Sequence, residues 1–140
     1  MSVDRADYES ASEARKEFRL VLDAAERGRA VTIQRHAALS AVLPADRLRE
    51  HFFATVDPGA KVFFEEGAWV VILENLPFVS EGKTVDDAVA DLVLSLREYA
   101  EDWDSHLRMA PNHEQNWALV QLVNLSTDQQ LADWIELGGE

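Results

Sequence analysis

Three helix-opening signatures divide the chain and leave β-patterned sequence between them. Ser10-Ala11-Ser12-Glu13, Thr84-Val85-Asp86-Asp87 and Ser126-Thr127-Asp128-Gln129 each place a hydroxyl three residues before an acid or amide. At that spacing the hydroxyl accepts a bond from an amide of the first turn, and the later side chain can reach back to the cap. Between the first two signatures lie runs in which apolar residues recur with period two instead of 3.6. Helices therefore flank hairpins, and the expected fold class is α+β.

In the N-terminal stretch the first helix is expected to run to about Arg27. Ala14, Phe18, Val21, Leu22 and Ala25 share one face, and Gly28 is placed to end the helix in the left-handed conformation. Arg19, Asp23 and Arg27 stand four apart and can pair. Ala30–Arg35 alternates like a strand with Val31 and Ile33 inward. His36-Ala37-Ala38 reads as a turn and Leu39–Leu43 as a second strand. Pro44 can then open a short helix through about Phe53, since proline is tolerated in the first helical turn. A unit of this size has too little core to be stable alone, so dimerisation is expected.

The C-terminal stretch opens with a hairpin. Lys61–Phe64 and Trp69–Leu73 are β-rich runs joined through Glu65–Ala68, where Gly67 supplies turn geometry. Phe78-Val79 reads as a short third strand. From Thr84 a helix is expected to about Leu107, with Val85, Val89, Leu92, Leu96, Tyr99 and Trp103 as an apolar stripe that can cover the hairpin. Its other faces carry Asp86, Asp87, Asp91, Glu98, Glu101, Asp102 and Asp104, two of them in the first turn, where the helix dipole favours acids. After Pro111, Asn112 can cap a helix containing Trp117, Val120 and Val123. The run Trp117–Val123 fits a strand equally, and periodicity does not decide. A last helix carries Leu131, Trp134, Ile135 and Leu137 and stops at Gly138-Gly139.

Charge divides the chain in the same way. Residues 1–51 hold nine basic and nine acidic side chains, whereas residues 52–140 hold four basic and seventeen acidic ones, the whole formal charge of -13. A local cluster of arginines can meet a polyanion, and an acidic remainder a basic partner. There is no cysteine, which excludes disulfides, thiol catalysis and cysteine-based zinc sites. No apolar run approaches the ~20 residues of a membrane span, and Met1–Arg5 does not open a signal peptide. A cytoplasmic protein without membrane contact is expected. His106 and His113 stand seven apart beside Glu114, but no metal-ligand spacing, Walker loop, dinucleotide fingerprint or nucleophile elbow is present. Neither catalysis, nor a metal, nor a cofactor is expected.

Ser12-Glu13-Ala14-Arg15 at a helix start, Ala30-Val31-Thr32-Ile33 leading to Arg35, Ala41-Val42-Leu43, and the helix at Ala45-Asp46-Arg47-Leu48 together resemble the Phd/YefM antitoxin family over roughly Tyr8–Phe53. His36-Ala37-Ala38 stands where that family usually carries glycine. Trp69-Val70-Val71, Leu76-Pro77, Gly82-Lys83-Thr84 and the helix from Val85 resemble the HicB-type antitoxin domain over about Val62–Trp103, with Phe78 replacing the usual glycine after Leu-Pro. With Ala110-Pro111-Asn112-His113 and Asn116-Trp117 following, the whole order is similar to a fused antitoxin subfamily described with RelE/RelB systems.

The resemblance implies a Phd/YefM-like helix–hairpin module for dimerisation and DNA binding (1–55), a small HicB-like antiparallel sheet-plus-helix domain without catalytic function (56–110) and a helical tail (111–140). It implies an antitoxin that neutralises a basic toxin, a RelE-like ribonuclease, and binds operator DNA to repress its own operon. It makes Ser12, Arg15, Lys16 and Arg35 the DNA-contact candidates, since guanidinium groups and helix N-terminal amides hold phosphates. Candidate toxin contacts are Asp91, Glu98 and Asp102 on the acidic helix, and Trp117, Trp134, Ile135 and Leu137 as apolar anchors. The blander readings are solvated charge for the first set and core or dimer packing for the second. A homodimer is expected, with further pairing left open. The rival from another class is a stand-alone DNA-binding regulator whose C-terminal domain senses a ligand; a third is a structural scaffold without DNA affinity.

Overall fold

The computed structural model describes residues 6–138 and forms two compact units, one ending at Leu48 and the other beginning at Arg49. The expected polar start at Met1–Arg5 and the Gly139 of the expected stop lie outside the described residues.

In the N-terminal unit the expected single helix is two: α1 (Ala11–Lys16) and α2 (Phe18–Glu26). Glu17 leaves helical geometry at φ -116, ψ 28, although neither proline nor glycine stands there. Its carbonyl then accepts from Leu20 and Val21 and starts the second helix. Ser10 Oγ accepts from the Glu13 amide at 3.1 Å as expected, but the Glu13 carboxylate accepts from Glu9 N–H, one residue before the cap. Gly28 adopts φ +94. Arg29 N–H bonds Ala24 O and Gly28 N–H bonds Ala25 O, the paired pattern that satisfies the last helical carbonyls. Among the described residues Arg19, Asp23 and Arg27 form no ion pair.

β1 (Val31–Arg35) and β2 (Ala38–Val42) pair antiparallel from Val31↔Val42 to Arg35↔Ala38. Tyr8 clips onto β1: its N–H donates to Thr32 O at 3.0 Å and its carbonyl accepts from Gln34 N–H at 2.8 Å. Beside it the Asp7 carboxylate accepts from Thr32 N–H and from Arg29, and these bonds, the backbone one foremost, hold its pKa below the ordinary carboxylate value. The core is small: Val21, Ala24 and Val31, with Tyr8 and Val42 packed against it. Ala14 and Ala25 are also buried, but Phe18 and Leu22, expected on the same inward face, are exposed, as are Leu20 and Leu39. The face turned inward is the one rich in alanine, which lets α1 and α2 lie close to β1. From Pro44, α3 (Ala45–Thr55) follows and runs past the boundary between the units.

The C-terminal unit is built on an antiparallel sheet of order β3-β4-β5: β3 (Ala60–Glu65), β4 (Ala68–Leu73) and β5 (Phe78–Gly82). Glu66 and Gly67 both take positive φ, +51 and +83, the geometry that lets a two-residue turn follow the strand twist. β5 is longer than the expected Phe78-Val79. α4 (Val85–Asp102), capped by Thr84 Oγ on the Asp87 amide, packs on β5 and β4. Ser80 is buried under it and donates to Ala88 O at 2.6 Å. Gly82 is a contact requirement: a Cβ there would sit 2.5 Å from the Ala88 amide nitrogen. Val89, Leu92, Leu96 and Trp103 of the expected stripe are buried, and Val85 and Tyr99 are half-buried. The helix does continue to Leu107, but Trp103–Leu107 is a π-helical turn, with Arg108 N–H bonded to Trp103 O.

The segment left open between helix and strand is α5 (Trp117–Leu125). Asn112 does not cap it; a 3-10 turn at Glu114–Asn116 precedes it. α6 (Asp128–Gly138) follows and opens with a capping box one residue later than expected. Thr127 Oγ1 accepts from Gln130 N–H at 3.1 Å and Gln130 Oε1 from Thr127 N–H at 2.9 Å, while Ser126 Oγ donates to Leu122 O. α5 and α6 pack on α4, and Leu119, Val120, Leu122, Val123 and Leu131 complete the core. Arg97 locks the arrangement: its guanidinium donates to Val123 O, Ser126 O and the Asp128 carboxylate. That satisfies the carbonyls that end α5 and ties them to the first acid of α6.

Candidate nucleic-acid and protein-binding surfaces

Ser12, Arg15 and Lys16 are exposed, and their spacing of three and four puts them on one face of α1. Arg35, also exposed, is the last residue of β1. Ser12 and Arg35 line one shallow cleft together with Glu9, Ser10, Gln34 and His36. The turn beyond Arg35 resolves the missing glycine: His36 itself adopts φ +52, and Gln34 Nε2 donates to its carbonyl at 2.8 Å. Asn, Asp and His tolerate that region better than other non-glycine residues, so the hairpin keeps its register and Arg35 its exit from the strand. Lys16 belongs to a different recess, with Asp7, Tyr8, Glu13 and Glu17. Ser12 and Arg35 are thus brought together, while Lys16 has carboxylates for neighbours. Among the described residues Arg15, Lys16 and Arg35 make no ion pair.

On α4, Asp91, Glu98 and Asp102 recur at intervals of seven and four, which stacks them along one exposed face directed away from the buried Leu92 and Leu96. Leu94 lies close to that face and is exposed, an apolar group out of phase with the buried stripe that periodicity alone leaves unassigned. Trp117 is half-exposed with its ring edge-on to Phe52 at 5.6 Å. Leu137 is exposed as well. Trp134 and Ile135 are not: both are fully buried, and Trp134 Nε1 donates to Val56 O at 2.8 Å. Their burial fits the core reading of the two that the sequence left open. A second acidic feature is an open groove of about 480 Å³ between α4 and α6, lined by Val89, Val93 and Ala132 with Asp86, Asp128 and Glu136.

No group of histidines and carboxylates among the described residues is disposed to hold a metal. His113 is instead a structural residue. Its Nδ1 lies 2.8 Å from Tyr99 Oη, its carbonyl accepts from Trp103 Nε1, and Asn116 Nδ2 donates to the same Tyr99 oxygen. These bonds tie the connection after the π-helical turn back to α4. No helix is long and apolar enough to cross a membrane among the described residues.

A family model described as PHD-like, antitoxin of toxin-antitoxin, RelE / RelB, TA system, matches residues 6–133. Among solved structures, the chain resembles a crystal structure from Syntrophomonas wolfei subsp. wolfei, described as the antitoxin part of a candidate toxin/antitoxin system. The TM-score is 0.74 at 18% identity, over 91% of this chain and 95% of that one. At that identity the likeness is one of fold. No curated protein matches the sequence.

Proposed function

The chain belongs to the family of PHD-like antitoxins of RelE/RelB toxin–antitoxin systems, and from that premise we propose that it neutralises a basic, RelE-like ribonuclease toxin and represses its own operon at operator DNA. The observation that carries the toxin half is the exposed acidic stripe of Asp91, Glu98 and Asp102. A basic, RNA-cleaving surface seeks closely spaced negative charge, and these carboxylates supply it on a rigid helix. Opposite charge speeds the encounter, and Leu94, Trp117 and Leu137 offer apolar area for affinity. In this reading residues 1–55 are the Phd/YefM-like module, 56–110 the HicB-like domain and 111–140 the tail. The ribonuclease chemistry belongs to the toxin, and this chain is not an enzyme.

DNA binding rests on Ser12 and Arg35 beside one cleft and on Arg15 one turn along α1. Dimerisation rests on the apolar surface left by the small N-terminal core: Phe18, Leu20, Leu22 and Leu39 are each close to half exposed. No observation favours the ligand-sensing regulator.

Growth tests the reading. The adjacent reading frame is induced alone and then together with this chain. Arrest relieved by co-expression is the expected result. A triple variant Asp91→Lys, Glu98→Lys, Asp102→Lys that folds but no longer relieves arrest assigns neutralisation to the α4 stripe. No arrest from a demonstrably expressed neighbour overturns the antitoxin pairing.

A further inference from the structure

β3 is an edge strand: it pairs with β4 on one side, and no strand pairs with its other side among the described residues. It is also unusually apolar for an edge: Val62, Phe63 and Phe64 are all exposed, on alternate faces of the sheet. Proteins ordinarily blunt such an edge with proline, a bulge or charged side chains, lysine above all, and in β3 charge stands only at Lys61 and Glu65, flanking the apolar centre. Here the register runs unbroken from Ala60↔Leu73 to Glu65↔Ala68, without a bulge, and the strand Ala60-Lys61-Val62-Phe63-Phe64-Glu65 contains no proline.

The hydrogen-bond parity of the edge follows from one contact. Glu74 N–H donates to Gly59 O at 2.9 Å. Bonded and non-bonded pairs alternate in an antiparallel ladder, so Gly59, Lys61, Phe63 and Glu65 turn their peptide groups toward β4. Val62 and Phe64 turn theirs outward. A strand added antiparallel must therefore bond at Val62 and Phe64.

The sequence that would best answer this edge is its own. Turned about Phe63, Lys61-Val62-Phe63-Phe64-Glu65 is self-complementary. Val62 faces the other copy's Phe64 at the outward-bonding positions, Phe63 meets its equivalent at the non-bonded position between them, and Lys61 stands opposite Glu65 twice. Aromatic with β-branched, aromatic with aromatic, and opposite charges are the favourable cross-strand pairs. The other edge lacks this property: turned about Ser80, β5 would set Val79 against Glu81. From this we infer that β3 pairs antiparallel with β3 of a second copy, joining two three-stranded sheets into one of six. The contact uses no residue of the N-terminal unit and stands apart from the proposed module dimer and from toxin binding.

The absence of native cysteine makes the test direct. Phe63→Cys in the full chain places two thiols at a non-bonded antiparallel pair, where Cβ atoms approach within about 4.5–5.5 Å, close to disulfide range. Under mild oxidation it is expected to form a covalent dimer at least about ten-fold faster than Val79→Cys, the exposed control on β5. Adding Glu65→Lys, which leaves the Lys61–Glu74 ion pair untouched, sets lysine against lysine and slows the cross-link. Adding Lys61→Glu to that variant restores it. Circular dichroism of each variant confirms folding before rates are compared. Equal rates for Phe63→Cys and Val79→Cys, or no recovery in the double reversal, overturns the pairing. A β3 edge that only a toxin strand fills gives the first of those results.

Discussion

The N-terminal unit buries Val21, Ala24 and Val31 and leaves Phe18, Leu20, Leu22 and Leu39 at its surface, whereas the C-terminal unit fully buries Trp134, Leu92, Leu96, Leu122 and Leu131. Charge runs the other way: residues 1–48 hold eight acids and eight bases, whereas residues 49–140 hold eighteen acids against five bases. A core of large side chains can carry self-repulsion that a core of small ones cannot. The strongly acidic stripe therefore sits where the packing can bear it, and the neutral unit keeps apolar surface that a second copy can cover.

Substitutions at four positions break or sharpen this contrast. The largest effect is expected from Trp134→Ala, which removes a fully buried indole and its bond to Val56, at about 3–5 kcal/mol. All four tryptophans lie beyond residue 48, so fluorescence in urea follows the C-terminal unit alone, while amide exchange of β1 should be unchanged. Arg97→Ala follows, at about 2 kcal/mol, because Val123 and Ser126 carbonyls lose a charged donor. Arg97→Lys should recover only part of it, since one ammonium cannot reproduce the fork. A urea midpoint equal to wild type would remove Arg97 from the packing account.

In the N-terminal unit, Arg35→Ala should lower the salt dependence of the proposed operator binding by about one unit of slope if the guanidinium meets a phosphate. An unchanged slope in a gel-shift series at several salt concentrations removes it from the contact set. The smallest effect belongs to Asp7→Asn. Because the native pKa of Asp7 is lowered, its contribution is fully present above the unfolded carboxylate value of about 3.9. It declines as pH falls below that value and is gone below the native pKa. Wild type and variant should differ at neutral pH, in thermal melts read at β1, and converge in acid. A gap that widens toward acid contradicts the assignment.

Much of the fold was legible because turn chemistry and caps are local. Gly28, Gly67, Pro44 and the Ser10 and Thr84 hydroxyls mark ends that periodicity only outlines. What was not legible depended on distant contacts. Phe18 and Leu22 fit the same helical stripe as Val21, and the pattern does not say which apolar edge turns inward; close packing of Ala14, Ala24 and Ala25 decides it. Ser126 and Thr127 are both competent caps, and the Ser126 hydroxyl, donating to Leu122 O, leaves the role to Thr127. The Trp103–Leu107 π-helical turn was not read from the sequence; it lies where Trp103 and Tyr99 bond the chain ten and more residues later. The exposure of the candidate charged residues was readable from type and spacing. The buried Trp134 and Ile135 were not, since an anchor and a core residue look alike until their neighbours are known.

The bond from Trp134 to Val56 spans 78 positions and has a temporal side. Val56 leaves the ribosome several seconds before Trp134, at about 5–20 residues per second. Until α6 is made, β3, β4 and β5 have α4 but not the indole that closes the near end of the sheet. A message broken before codon 134 would therefore yield a nascent chain with an unfinished interior. Competence of this unit thus reports that translation has run through α6.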